Sequence, residues 1–165
     1  MIEMSNRRRT WIAAIGSTAM MWASIIGGDA MAAEGLKTLR SMHGPSETMA
    51  RLKEAVEAGG MTVFAQIDHA AGAERIGLPL RPTNLLIFGS PKGGTPMMQS
   101  AQTSGIDLPL KALVWEDSAG TTWLSYETPT WIAARHDARS TGAIQAMTTA
   151  IDAVVTAATS SSLSR

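Results

Sequence analysis

The sequence contains no cysteine. That excludes disulfides, thiolate catalysis, cysteine-ligated zinc and iron–sulfur clusters, and it leaves the fold to rest on its apolar core. Charge of one sign is not in excess either, since 14 Lys and Arg stand against 14 Asp and Glu. A nucleic-acid binder presents a basic face, because neutralising phosphates supplies much of its affinity, and a balanced chain makes no such case. No internal repeat occurs. With 45% hydrophobic and 17% charged residues, the 165-residue chain has the composition of one ordinary globular domain.

The N-terminus has the order of a secretory signal. Arg7, Arg8 and Arg9 precede an apolar run from Thr10 to Gly28 that only Gly, Ser and Thr interrupt, and Asp29-Ala30-Met31-Ala32-Ala33 follows. A positive start, an apolar stretch and small residues at −3 and −1 predict a cleaved signal peptide over residues 1–32, with Ala30 and Ala32 at those positions. Ala33 as the −1 residue fits less well. The competing reading is an uncleaved anchor, because the run approaches the ~17–25 residues that span a bilayer. Membrane attachment is expected only in that case. Arg8-Arg9-Thr10-Trp11-Ile12 also loosely resembles a twin-arginine signal, so both export routes stay open. Removing 32 residues leaves 11 of the 14 basic and 12 of the 14 acidic residues. The expected location is the periplasm or the medium. About 130 residues suffice for a core, since a domain of that size buries roughly two-thirds of its chain surface.

The remainder alternates strand and helix signals. Leu36 to Met42 is a weak strand candidate without clean alternation. Gly44-Pro45 breaks it, and Ser46 is placed to cap a helix over Glu47 to Ala58. Met49, Leu52 and Val56 share one face of that helix, and Gly59-Gly60 stops it. Met61 to Asp68 reads as a strand, and His69 to Ile76 as a short helix with Asp68 as a possible cap. Thr83 to Phe88 is a third strand. Its Leu85-Leu86-Ile87-Phe88 run is apolar without alternation, which suits burial on both sides or an apolar face used for association. Gly89 to Pro96 is a loop by composition, and Met97 to Ser104 one or two helical turns. Leu110 to Glu116 and Thr121 to Tyr126 flank Asp117-Ser118-Ala119-Gly120, a hairpin signal. A short helix from Trp131 to His136 and a longer one from Thr141 complete the body, and residues 159–165 form a polar tail. The hairpin requires an antiparallel pair. The expected fold is therefore α+β: one mostly antiparallel sheet covered on one face by helices.

Four stretches, in order, are similar to hallmarks of domain-of-unknown-function family 302. They are Thr62-Val63-Phe64-Ala65-Gln66-Ile67-Asp68-His69-Ala70-Ala71-Gly72-Ala73, Leu86-Ile87-Phe88-Gly89-Ser90-Pro91, Gly94-Thr95-Pro96-Met97-Met98, and Ile106-Asp107-Leu108-Pro109-Leu110-Lys111. With its flanks the resemblance covers roughly Gly35 to Ala158. Ser90 departs from the asparagine often found before the loop proline. The resemblance implies a compact β-α-β(4)-α two-layer sandwich over residues 33–158, and dimers. It implies no reaction and no cofactor.

No catalytic constellation emerges from the residues. Asp68 and His69 end a strand and could act as an acid–base pair or as metal ligands. Neighbours on an extended strand point to opposite faces, however, and the plainer reading makes Asp68 a helix cap. The Gly89-to-Thr95 stretch has the composition of a phosphate loop but not the order of one, so its glycines are expected to serve turns, with some capacity for a small anion. Met97 and Met98, with His69 or His136, suggest cuprous copper, but adjacent helical residues diverge by about 100°, which favours packing. Ser90, Ser104 and Ser125 lack the Gly-x-Ser-x-Gly setting of a serine hydrolase. Of the hairpin aromatics Trp115, Trp123 and Tyr126, Trp123 is expected on the face opposite Tyr126. The expectation is a non-enzymatic module, without catalytic or metal residues, acting as a homodimer. It would hold a small apolar or anionic ligand, or a periplasmic protein, near Asp68, His69, Gly89, Ser90, Gly94 and Thr95. The alternative is an enzyme or metal-handling protein at Asp68 and His69.

Overall fold

The computed structural model describes residues 33–161. The expected signal peptide and residues 162–165 of the tail lie outside them. Five strands form one sheet: β1 (Leu36–Arg40), β2 (Thr62–Asp68), β3 (Thr83–Gly89), β4 (Leu110–Glu116) and β5 (Thr122–Glu127). Their order across the sheet is β1-β5-β4-β3-β2, and every neighbouring pair is antiparallel. The helices are α1 (Pro45–Ala58), α2 (His69–Glu74), α3 (Pro91–Ser100), α4 (Pro129–Arg135) and α5 (Thr141–Thr159), with a 3-10 turn over Gln102–Ile106. This is the expected two-layer α+β sandwich, with a wholly antiparallel sheet.

The alternation within each strand sets the layers. Leu86 and Phe88 of β3, Leu110, Ala112 and Val114 of β4, and Leu124 and Tyr126 of β5 are buried on one face. Against them pack Met49, Leu52 and Val56 of α1, Met97 of α3, Ile132 of α4, and Met147, Ile151, Val154 and Val155 of α5. The apolar run of β3 thus splits: Leu86 and Phe88 are fully buried, whereas Leu85 and Ile87 are half-buried on the other face. The register sets Leu85 opposite Leu113 and Ile67, and Trp115 opposite Trp123. The open face therefore carries Ile67, Leu85, Ile87, Leu113, Trp115 and Trp123. Tyr126 lies in the core, as alternation predicts.

Three local expectations need correction. Ser46 does not cap α1, which begins at Pro45 with Gly44 as its cap and no capping side chain. The hydroxyl of Thr48 bonds instead to Gly44 O at 2.9 Å, and Ser41 Oγ lies 2.7 Å from it. The supposed Gly89-to-Pro96 loop is largely helix, because α3 starts at Pro91. Ser90 Oγ accepts from Lys92 N, and Pro91 occupies a first-turn position where a missing N–H costs nothing. Burial of Met97 outweighs the poor propensity of two prolines and two glycines. The helical turns expected between Met97 and Ser104 are present, as the end of α3 at Ser100 and the 3-10 turn that follows. Thr159, assigned to the tail, is buried at the end of α5.

A polar tie joins the sheet to α5. Tyr126 Oη donates to Asp152 Oδ1, and Lys37 Nζ lies 2.9 Å from the same oxygen. The phenol's hydrogen bond, then the ammonium's, hold the Asp152 carboxyl below its ordinary value. A depressed folded-state pKa contributes stability above the unfolded value, and that contribution is lost as pH falls through the folded one. Because the Asp152 side chain is 44% exposed, solvent screening keeps the contribution to about 1 kcal/mol or less. Asp152→Asn is expected to flatten that part of the acid limb, read as urea midpoints between neutral and acidic pH. An unchanged acid limb would contradict the assignment.

Candidate functional site

A half-open cavity of about 780 Å³ lies between the start of α3, α5 and the α1–β2 turn. Its floor and walls combine Gly59, Gly60 and Met61, Phe64 of β2, the stretch from Gly89 to Thr95, Met98, the segment Leu108 to Leu110, and Ala146, Met147 and Ala150. The volume falls within the ~300–1,000 Å³ usual for small-molecule sites, and an apolar lining with few polar groups is typical of them.

Each wall has a local cause. β2 shifts register between Val63 and Ala65, so Phe64 sits in a bulge and its ring is turned toward the end of β3. A Cβ on Gly89 would stand 3.5 Å from Pro109 and 3.9 Å from the Phe64 ring, in ordinary contact. A Cβ on Gly93 would stand 3.0 Å from Met147 Cγ, so this glycine lets α3 approach α5. Neither glycine has positive φ. Gly93 thus serves close packing and not the tight turn expected.

The polar groups are few. Lys92 is the only charged residue among those lining the cavity, is exposed, and makes no ion pair within the described residues. The first amides of α3 are already used: Lys92 N bonds to Ser90 Oγ, and Gly93 N and Gly94 N to Ser90 O. The backbone thus leaves little for an anion, and the Lys92 ammonium is the group that can meet one.

Of the residues singled out in the sequence, Gly89, Ser90, Gly94 and Thr95 line this cavity. Asp68 and His69 lie at the opposite end of β2. Asp68 Oδ1 accepts from Ala71 N at 2.9 Å and caps α2, a bond that holds its carboxyl below the ordinary value. His69 is the exposed first residue of α2, and its side chain makes no hydrogen bond among the described residues. The two do not form an acid–base pair in this arrangement. Met97 and Met98 diverge, one into the core and one into the cavity.

The sequence did not reveal Met61, Phe64, Lys92, Met98, Leu108 and Met147 as one wall. The broken alternation at Phe64 was the available signal for the bulge. A second cluster also went unseen. His136 Nε2 lies 2.7 Å from Asp107 Oδ2, His136 Nδ1 lies 3.0 Å from Thr103 Oγ1, and Arg135 Nη1 lies 3.3 Å from Asp107 Oδ1. Asp107 and His136 are nearly buried there, and they fasten the segment before β4 to the end of α4. Leu108 and Pro109, next to Asp107, form part of the cavity wall.

The family model described as "Domain of unknown function DUF302" matches residues 37–157. Two relatives are named "Fluoride-specific ion channel FluC 1". The one from Brucella suis biovar 1 (strain 1330) is 47% identical over 117 residues, which is 70% of this chain and 46% of that protein. The one from Brucella abortus biovar 1 (strain 9-941) is 47% identical over 117 residues, 70% of this chain and 43% of that protein. The chain thus spans less than half the length of these relatives. The crystal structure of an uncharacterized conserved protein DUF302 from Bacillus stearothermophilus superposes with a TM-score of 0.69 at 21% identity, covering 76% of this chain and 99% of that one. That likeness shows the fold.

Proposed function

The chain belongs to the DUF302 family, and from that premise and the site geometry we propose that it is an exported, non-enzymatic binding module that acts as a dimer. The observation that carries the binding role is the apolar cavity of about 780 Å³ whose lining includes one exposed cation, Lys92, with no ion pair among the described residues. Enzyme or metal chemistry at Asp68 and His69 has weaker support, because Asp68 is committed to capping α2.

Export rests on the arginines, apolar run and Ala-Met-Ala order of the first 32 residues. The dimer rests on the open sheet face. The indole N–H groups there are already satisfied, Trp115 by Ser125 Oγ at 2.9 Å and Trp123 by Asp117 Oδ2 at 2.8 Å. The rings stack with centroids 6.2 Å apart. What remains to be covered is carbon. Arg40 and Glu127, of opposite sign, stand at the two ends of the β1–β5 side without an ion pair among the described residues. A second copy about a two-fold axis can set one against the other while covering the apolar centre. Leu113→Lys, in the middle of this face, is expected to turn the dimer into a monomer of unchanged circular dichroism, raising the dissociation constant at least about tenfold, since each 1.4 kcal/mol is a factor of ten. Sedimentation of both forms decides it, and a variant that remains dimeric overturns this interface.

The relatives named as fluoride channels carry much additional length beyond the matched segment, which supports a place for such a domain beside a transport protein. Fluoride itself suits the cavity poorly, because burying a small, strongly hydrated anion among apolar groups is costly. The test of the whole reading is native mass spectrometry of the full chain expressed in a host with intact export. A periplasmic dimer starting at Ala33, stabilised against heat by small apolar anions and not by fluoride, is the expected result. A membrane-retained chain carrying residues 1–32, or a strict monomer with no stabilising ligand, overturns it.

A further inference from the structure

We propose that the cavity's ligand is a flexible, single-chain apolar carboxylate, with its chain along the methionine wall and its anionic end at Lys92. This rests on the binding role proposed above and names the ligand class. Three unbranched thioether side chains, Met61, Met98 and Met147, line the same space. Methionine adapts its shape to a flexible apolar chain better than branched side chains do. The glycines along the walls add backbone without rigid side chains. A site selecting a flat, rigid ligand would be expected to present aromatic faces or several fixed donors, and Phe64 is the only aromatic residue among those lining the cavity.

Charge sets the other end. Lys92 has no acidic partner within the described residues, and no Asp or Glu lines the cavity. An anion there gains an attraction that a cation or neutral head does not. The amides at the start of α3 are taken by Ser90, so discrimination falls to the lysine. Because Lys92 is exposed, its ion pair is screened, and the expected preference for an anionic over a neutral head is about two- to fivefold.

The test is calorimetric titration of the exported full-length product with laurate and with lauryl alcohol, below the concentrations at which they aggregate. The expected result is one saturable site per chain, laurate bound about two- to fivefold more tightly than the alcohol. Lys92→Met is expected to weaken laurate by that factor and leave the alcohol unchanged. Ala150→Trp, which fills the α5 side of the cavity, is expected to abolish binding of both, and Ala146→Phe serves if the tryptophan variant does not fold. Equal affinity for laurate and alcohol in the wild type overturns the carboxylate assignment while leaving an apolar binding cavity in place. Absence of binding by either overturns both the assignment and the binding role.

Discussion

Asp107→Ala is expected to cost about 3 kcal/mol of folding stability, although the residue lies outside the cavity. The Asp107 side chain is 11% exposed and that of His136 is 10% exposed. Their contact at 2.7 Å is therefore largely shielded from water. Truncating the carboxylate strands the imidazole Nε2 and takes the partner from Arg135, whose guanidinium lies over the Trp131 ring at 5.3 Å. The loss comes from leaving a buried polar group unpaired more than from any net gain of the pair. Asp107→Asn keeps one acceptor oxygen for His136 and is expected to cost about 1 kcal/mol. Urea denaturation of both variants, with unchanged m-values, gives the numbers. A cycle with His136→Ala isolates the pair, and additive losses would show that the two side chains are not coupled.

The same clamp predicts a functional consequence. Leu108 and Pro109 follow Asp107 directly and form one wall of the cavity, and Lys111 Nζ bonds back to Asp107 O. Releasing Asp107 loosens this wall without touching a lining side chain. Affinity for the ligand class proposed above is expected to fall in Asp107→Ala while remaining near wild type in Asp107→Asn. A purely structural role confined to α4 would leave affinity unchanged in both.

The architecture was legible because its signals are periodic. Three-to-four spacing of Met49, Leu52 and Val56 marked α1, and the turn Asp117 to Gly120 marked the antiparallel pair. The first strand was only a weak candidate in the sequence, and the structure shows why a weak signal suffices there. It pairs with β5 through backbone bonds, and its half-buried Leu39 packs on the core, where a stronger apolar pattern is not required at a sheet edge. Composition misled over α3, because Pro, Lys, Gly, Gly, Thr and Pro read as a loop until the core burial of Met97 is known. The cavity was half legible. Gly89, Ser90, Gly94 and Thr95 stood out as glycine-rich sequence, but the methionines facing them come from the α1–β2 turn and from α5, far away in the chain. Asp68 and His69 drew attention by their position at a strand end, and there the plain capping geometry holds. The Asp107–His136 contact spans 29 residues and has no local signature.

Phe88→Ala is expected to cost about 3–5 kcal/mol, the range for removing a fully buried phenylalanine ring. Phe88 has no exposed surface and lies on the helix-covered face of β3. Its neighbour Ile87 belongs to the same apolar run but points to the open face and is half-buried. In a dilute monomeric background, Ile87→Ala is expected to cost about 1 kcal/mol, because much of the side chain remains in water with or without the substitution. If the dimer proposed above forms, this cost rises with protein concentration, because the variant then also loses area between subunits, and association is linked to apparent stability by mass action. The Phe88→Ala loss carries no such dependence beyond that of the wild type. Thermal midpoints of both variants over a hundredfold range of concentration separate the two faces. Equal, concentration-independent losses would mean that the sheet is covered on both sides within one chain, and neither the two-layer arrangement nor the open face would survive that result.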